Sequence, residues 1–350
     1  MNVNPQKVLN LVELVIAQSQ NCLRRVFSWR SGSMYRIVSL FLLGTFAPLS
    51  MIACSNNFYQ KTTPQAAQAN ISQCRVVTHI HSEICIPLNP QKVVVIGILE
   101  ELLALDIKPV GAAIWRSVDG NGFPLFLQDK TAGIIELGNE SQPNLERILL
   151  LKPDLVIGKK WAVEPIYSQL SQIATTVVID TEEQAWKNRL KLVAEVFGKS
   201  AKAENLLNEY NQRLQLFQQK MGDRLVNTQI SIVRVFSNLF RIYLQKSYSG
   251  GILRDAGLLL PPVQNQQDIW QDISAESVEH INSDIVFVAD DHPQHSFLKF
   301  FKSNPLWLNL KAVKQDKVYK IDSQYWIGGS SIIAANRIID DLFKYVVQNI

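Results

Sequence analysis

Beyond residue 90 the apolar positions change period in a regular alternation. The unbroken apolar runs Val93–Gly97, Pro109–Ala113, Leu155–Gly158 and Thr176–Asp180 read as strands buried on both faces. Between them, Glu100–Leu105, Asn144–Leu151 and Glu164–Ile173 have helical spacing, as in a parallel sheet covered on both sides. From about Thr181 to about Met221 the helical period continues without a strand signal. Gly198 is predicted to break this stretch and Ser200 to cap its second part. There, Ala203, Leu206, Leu207, Tyr210, Leu214 and Phe217 recur at helical spacing. A helix of that length spans about 30 Å, roughly the width of a small domain, and can bridge two lobes.

A second α/β series follows. Strands are predicted over Ile230–Phe236, Arg241–Leu244, Asp284–Ala289 and Lys317–Asp322. Helices are predicted over Gly250–Ala256, Ala275–Ile281, Ser296–Lys302 and Ser331–Val347. One stretch occurs twice at a constant offset. Asn144-Leu-Glu146-Arg-Ile148 leads to Asp154-Leu-Val-Ile157, and Ser274-Ala-Glu276-Ser-Val278 leads to Asp284-Ile-Val-Phe287. A polar cap, Glu in the first turn, a helix and then Asp opening a buried strand is thus an internal repeat. The expected fold is α/β, two Rossmann-like lobes with central parallel sheets joined by one long α-helix. Its parts are an N-terminal lobe over 74–198, a bridging helix over 199–222 and a C-terminal lobe over 223–350.

The first 53 residues do not belong to that pattern. Arg36 precedes an apolar run from Ile37 to Ile52, and the run ends in Met51-Ile52-Ala53-Cys54. This resembles a lipobox, so 1–53 is predicted to be an export leader and Cys54 a lipidation site; an uncleaved N-terminal anchor is the alternative. Residues 1–33 lie upstream of what would be an ordinary start at Met34. Residues 54–73, rich in Ser, Asn, Gln, Thr and Ala, read as a tether. The expected location is the periplasmic face of the cell membrane, held by lipid. Cys74 and Cys85 then bracket a predicted hairpin, where an oxidising compartment permits a disulfide and two free buried thiols are the alternative.

Charge separates the same two parts. Lys7, Arg24, Arg25, Arg30 and Arg36 against Glu13 account for the whole formal charge of +4. The remaining chain is neutral and carries no basic field for nucleic acid.

In open α/β sheets ligands sit beyond the carboxyl ends of the strands. The residues there are Trp115 and Arg116, then Lys159, Lys160 and Trp161, then Arg234 and Phe236. Arg241 and Tyr243 open the next strand, and Tyr325 and Trp326 follow the last. Guanidinium forks bind carboxylate or hydroxamate oxygens in pairs, and Tyr and Trp supply flat walls with a polar tip. The expected guest is anionic, a planar ring or a chelate. Taken singly, a Trp at a strand end is more often core or rim packing, and Lys159 with Lys160 a solvated pair. Glu146 and Glu276, each in a first helical turn, favour the helix dipole; their equivalent placement also suits docking onto paired Arg sites of a symmetric partner.

Other residues carry less. His79 and His81 read as turn residues, and Asp290-Asp291-His292-Pro-Gln-His295 has the composition of a metal cluster but is one short loop. Gly328-Gly-Ser-Ser331 opens the last helix and could hold an anion or simply cap it. No Walker loop, nucleophile elbow or HExxH occurs, so an enzyme is not expected.

With these residues in view, the chain resembles the iron-siderophore substrate-binding proteins of ABC importers. The resemblance runs over about 74–347. It rests on Ile86-Pro-Leu-Asn-Pro-Gln-Lys-Val-Val-Val95, Glu101-Leu-Leu-Ala-Leu-Asp-Ile-Lys-Pro-Val-Gly111 and Asn144-Leu-Glu-Arg-Ile-Leu-Leu-Leu-Lys-Pro-Asp154. Ser249-Gly-Gly-Ile-Leu-Arg-Asp-Ala-Gly257, Ile273-Ser-Ala-Glu276 and Asp322-Ser-Gln-Tyr-Trp326 add to it. It implies a monomeric carrier without intrinsic cofactor that receives Fe(III) inside a siderophore and serves an ABC permease dimer with its ATPase. Haem or cobalamin is the alternative cargo. It implies Glu146 and Glu276 as the docking pair and Arg234 and Arg241 facing ligand oxygens. Trp115, Arg116, Tyr243, Tyr325 and Trp326 would surround the cleft. Of these Tyr325 is the best candidate for a protein iron ligand.

Overall fold

A computed structural model describes residues 74–78, 80–115, 122–182, 185–291 and 302–348, all within one unit, Ala66–Ile350. The leader, Cys54, the 54–73 tether, His79, Arg116, His292 and His295 lie outside the described residues, as does nearly all of the expected Ser296–Lys302 helix.

The described chain opens as an antiparallel ribbon of β1 (Cys74–Thr78) and β2 (Glu83–Pro87). It brings Cys74 and Cys85 to a Cα separation of 5.6 Å, within the span of a disulfide. The N-terminal sheet follows: β3 (Val93–Ile96), β4 (Gly111–Ile114), β5 (Ile135–Asn139), β6 (Gln142–Pro143), β7 (Leu155–Lys159) and β8 (Thr175–Ile179). Their spatial order is β6-β5-β4-β3-β7-β8, parallel throughout except for the short β5–β6 pair. The chain moves from β3 to one side as far as β6 and then crosses back to β7. The topological switch therefore lies between β3 and β7, where such sheets open a crevice.

The C-terminal sheet contains β9 (Ile230–Val235), β10 (Phe240–Tyr243), β11 (Trp270–Ile273), β12 (Ile285–Ala289) and β13 (Val318–Ile321), in the order β11-β10-β9-β12-β13. Strands β9, β12 and β13 are parallel, and an antiparallel hairpin, β10 and β11, completes one edge. The internal repeat has a structural counterpart. Asp154 accepts hydrogen bonds from the Gln91 and Lys92 amides at 2.7 and 3.0 Å, ahead of β3, its own strand's partner. Asp284 accepts from the Gln229 amide at 2.8 Å, ahead of β9, likewise the partner of its strand.

The helices used below are α1 (Leu99–Ala104), α2 (Leu145–Leu151), α3 (Trp186–Val196), α4 (Ser200–Met221), α5 (Tyr248–Asp255) and α6 (Ile332–Leu342). Helix α4 is the bridging helix, and its Ala203, Leu207, Tyr210, Leu214, Phe217 and Met221 form one buried face. Gly198, at φ 65°, breaks the chain between α3 and α4. Ser200 is not the cap: Lys199 occupies that position, no side chain caps the helix, and the Lys199 ammonium bonds the Leu105 carbonyl at 2.7 Å. The Ala275–Ile281 segment is a 3₁₀ helix with a kink at Ser277.

A single hydrophobic cluster includes Val95 and Leu102 of the N-terminal lobe, Tyr210 of α4, and Ile232, Phe287 and Ile338 of the C-terminal lobe. Away from the crevice, the two lobes are parts of one core.

Candidate functional site

The crevice holds a cavity of about 560 Å³. Four of its lining residues stand at the carboxyl ends of parallel strands: Gly97 after β3, Trp115 after β4, Glu140 after β5 and Lys159 at the end of β7. The strand-end rule thus holds for position, with partly different residues filling it. Gly97 leaves its Cα open to the Glu140 carboxylate and the Lys159 methylenes, which occupy the space a side chain would need. The start of α1 contributes Glu100 and Glu101, segment 122–131 covers one side, and Gln324, Gly328 and Ser330 enter from the C-terminal lobe.

The deep wall is a buried polar joint between the lobes. Arg189 and Glu101 are 1% and 3% exposed, and the Arg189 Nε donates to Glu101 at 2.6 Å. The same guanidinium donates to the Ser330 carbonyl and, at 2.9 Å, to the Ser330 hydroxyl. Beside it, the Ser331 hydroxyl donates to the Glu100 carboxylate while accepting the Ala334 amide at the start of α6. The Tyr248 hydroxyl completes the joint on the Ser331 carbonyl at 2.5 Å. Ser331 therefore caps α6, the simpler of the two readings of the Gly-Gly-Ser-Ser turn, and its hydroxyl serves the protein's own Glu100. Burial pushes the Glu100 carboxyl up to about 7 and Glu101 adds to this, against the Ser331 hydrogen bond and the Lys159 and Arg189 charges.

The expected guanidinium cluster exists, with its charges held internally. Arg234 and Arg241 are register partners on β9 and β10. Arg234 pairs with Asp291 at 2.6 Å, and Arg241 forms a bidentate pair with Asp272 at 2.7 and 2.9 Å. Phe236 lies under both guanidinium groups, at 5.2 and 5.0 Å, and Trp270 stacks on Arg241 at 3.7 Å. Tyr243 is buried beneath, its hydroxyl bonded to Arg234, and its pKa is raised chiefly by burial. None of Arg234, Phe236, Arg241 and Tyr243 lines the cavity; the cluster reaches it only indirectly, through Asp291, which accepts from Ser323, the neighbour of the lining residue Gln324.

Other positions differ from expectation. Trp326 is fully buried against Phe287 at 4.7 Å and donates its indole N–H to Asp341, so it is core rather than cleft wall. Tyr325 donates its hydroxyl to the same Asp341 oxygen at 2.8 Å. Burial and Asp341 hold the phenol protonated well above its ordinary range, which opposes the phenolate an iron ligand must be. Strand β7 runs one residue further than its apolar run, so Lys159 lines the cavity. Lys160 pairs with Asp180 at 2.8 Å, and Trp161 is 49% exposed outside the lining. Glu146 and Glu276 are both exposed in first helical turns. Asn144 caps α2, whereas the Glu276 carboxyl takes the Ser274 hydrogen bond, which lowers its pKa.

Glu100, Glu101, Glu140, Gln324 and segment 122–131 escaped the strand-end reading. The signal for Glu100 and Glu101 is Gly97 directly after an all-apolar strand, with acidic residues opening the next helix.

The family model for periplasmic binding proteins matches residues 98–325. The probable siderophore-binding lipoprotein YfiY of Bacillus subtilis is 32% identical over 330 residues, covering 90% of this chain and 99% of that protein. The crystal structure of Staphylococcus aureus SirA complexed with staphyloferrin B superposes with a TM-score of 0.66 at 28% identity, over 78% of this chain and 98% of that one. The triscatecholate siderophore binding protein FeuA from Bacillus subtilis, complexed with ferri-bacillibactin, gives 0.64 at 26%, over 79% and 99%.

Proposed function

Because this chain belongs to the periplasmic binding protein family, we propose that it captures a ferric siderophore in the cavity between its lobes and delivers it to an ABC permease dimer with its ATPase. The family is one of substrate-binding proteins rather than enzymes. The observation that carries the reading is the position of the cavity at the strand switch, where Trp115 and Lys159 meet Gln324 of the other lobe. Iron arrives as part of the cargo. Trp115, Lys159 and Gln324 contact the chelate shell, and Arg234 and Arg241, with Phe236 and Tyr243 supporting them, lie behind Gln324 through Asp291 and Ser323. Arg116 belongs to the same rim by its place after Trp115. The carrier is a monomer, lipid-anchored through Cys54 outside the cytoplasm, with a Cys74–Cys85 disulfide.

Residues 55–350 titrated with ferric hydroxamate, catecholate and citrate chelates, haem and cobalamin are expected to show saturable tryptophan quenching by a ferric chelate. Trp115→Phe is expected to remove most of that quenching. Equal indifference to all five would overturn the assignment, and tight binding of haem or cobalamin alone would redirect it.

Glu146 and Glu276 dock on the permease, each exposed in the first turn of an equivalent helix. Combining Glu146→Ala with Glu276→Ala is expected to leave cargo affinity unchanged while ⁵⁵Fe uptake falls by about tenfold or more. Wild-type uptake by the double variant would remove them from that role.

A further inference from the structure

The geometry points to a gate: cargo is admitted and released by movement of 122–126, rooted at Leu127 and latched by Gln324 and Tyr325, while the two lobes stay fixed. This rests on the cavity being the cargo site. The back of the crevice resists opening for two reasons. One hydrophobic cluster passes through both lobes and α4. Parting the lobes would also tear Arg189 from Ser330 and Glu100 from Ser331, in a joint whose charged pair is buried.

The front is held differently. Segment 122–131 supplies Gly122, Phe123, Pro124, Leu125, Leu127 and Gln128 to the cavity wall, yet it contains only a 3₁₀ turn and one helical turn. Leu125 is 65% exposed, whereas Leu127 is 1% exposed and belongs to the same hydrophobic cluster, so it is the root on which the exposed part, 122–126, turns. Among the described residues, two specific contacts latch its exposed part to the other lobe. The Leu125 amide donates to Gln324 Oε1 at 2.9 Å in an exposed setting, and Phe126 meets Tyr325 edge to face at 5.8 Å. Glycines in left-handed conformations flank it, Gly122 at φ 100° and Gly133 at φ 80°.

The latch side, by contrast, is anchored. The Gln324 amide donates to Asp322 at 2.8 Å, Ser323 bonds Asp291, which Arg234 clamps, and Tyr325 is tied to Asp341. An exposed hydrogen bond and one ring contact release far more readily than a buried charged joint. The fixed and the moving sides of the mouth are therefore distinct elements, and Gln324 is a positioning residue for the moving one.

Hydrogen exchange on the cargo-free protein tests the gate without reference to any ligand. The Leu125 amide, whose partner is the latch, is expected to exchange about a hundredfold faster than the Ala334 and Ala335 amides at the start of α6. Gln324→Ala should raise exchange further in 122–126 alone. Equal protection of both regions, or a joint rise at 122–126 and α6, overturns the gate in favour of lobe separation.

A second measurement uses residues 55–350 with Leu125→Cys and Gln324→Cys, and ferric citrate, a ferric trihydroxamate and a ferric tricatecholate as probes. Oxidation is expected to slow association of any chelate that binds by about a hundredfold, with recovery on reduction and no such effect on the parent protein. Unchanged association after cross-linking overturns the gate. If no chelate binds even the parent protein, the cargo assignment fails, and the exchange experiment decides the gate by itself.

Discussion

Arg189→Ala is expected to destabilise the protein by about 3–5 kcal/mol, the cost of leaving one member of a buried ion pair alone. Arg189 and Glu101 are both almost fully covered, and the guanidinium also serves the Ser330 carbonyl and hydroxyl and, at 3.4 Å, the Glu182 carbonyl. Alanine would leave the Glu101 carboxylate without its counter-ion and several acceptors without donors. The Coulombic attraction of the pair does not set this number, because burying two charges offsets much of it. The asymmetry of removing only one partner does. Urea unfolding should show a lower midpoint at unchanged slope, and the melting temperature should fall by roughly 10 °C at about 2–4 °C per kcal/mol. Arg189→Met combined with Glu101→Gln removes the charge imbalance and should recover much of the loss. A single variant as stable as the parent would show that the joint does not hold the lobes together.

The second large effect is a dependence of stability on pH through Glu100. Its carboxyl is raised from 4.5 to about 7, first by burial, with Glu101 acting in the same direction. The folded state thus keeps a proton that the unfolded chain releases above 4.5. Stability from this group is fully present below pH 4.5 and is lost as the pH rises through 7. The shift corresponds to about 3 kcal/mol across that window. Ser331, Lys159, Arg189 and the Tyr248 hydroxyl face the same carboxyl, so the titration reports on the whole joint. Glu100→Gln should flatten this part of the profile and be more stable than the parent at pH 8. Parallel pH profiles for the two proteins would refute the assignment.

Much of the architecture was legible because burial on both faces writes unbroken apolar runs, as in Val93–Ile96 and Ile285–Ala289. Helix α4 was legible from its single apolar stripe. Strand β5 was not, since Ile-Glu-Leu-Gly-Asn buries only Leu137, and its loss concealed Glu140 at its end. Strand β11 is an edge strand with one buried residue and was missed for the same reason. At the site, strand-end position was predictable, but pairing was not. Nothing in the local spacing announces that Arg241 will find Asp272 across β10 and β11, or Arg234 will find Asp291. Trp326 misled because a tryptophan after a strand fits a cleft wall and a core equally well. Its neighbour across the core, Phe287, is remote in sequence.

The ribbon that precedes the first lobe bears on how the molecule carries mechanical load. Tension along the chain ahead of Cys74 arrives at the paired cysteines, and Arg75 passes it to the Val196 carbonyl at 2.7 Å, at the end of α3. The Arg75 guanidinium also fills the space beside Gly198, where α3 hands over to α4. Load entering the ribbon is thus shared between the spine of the protein and β3, into which β2 leads.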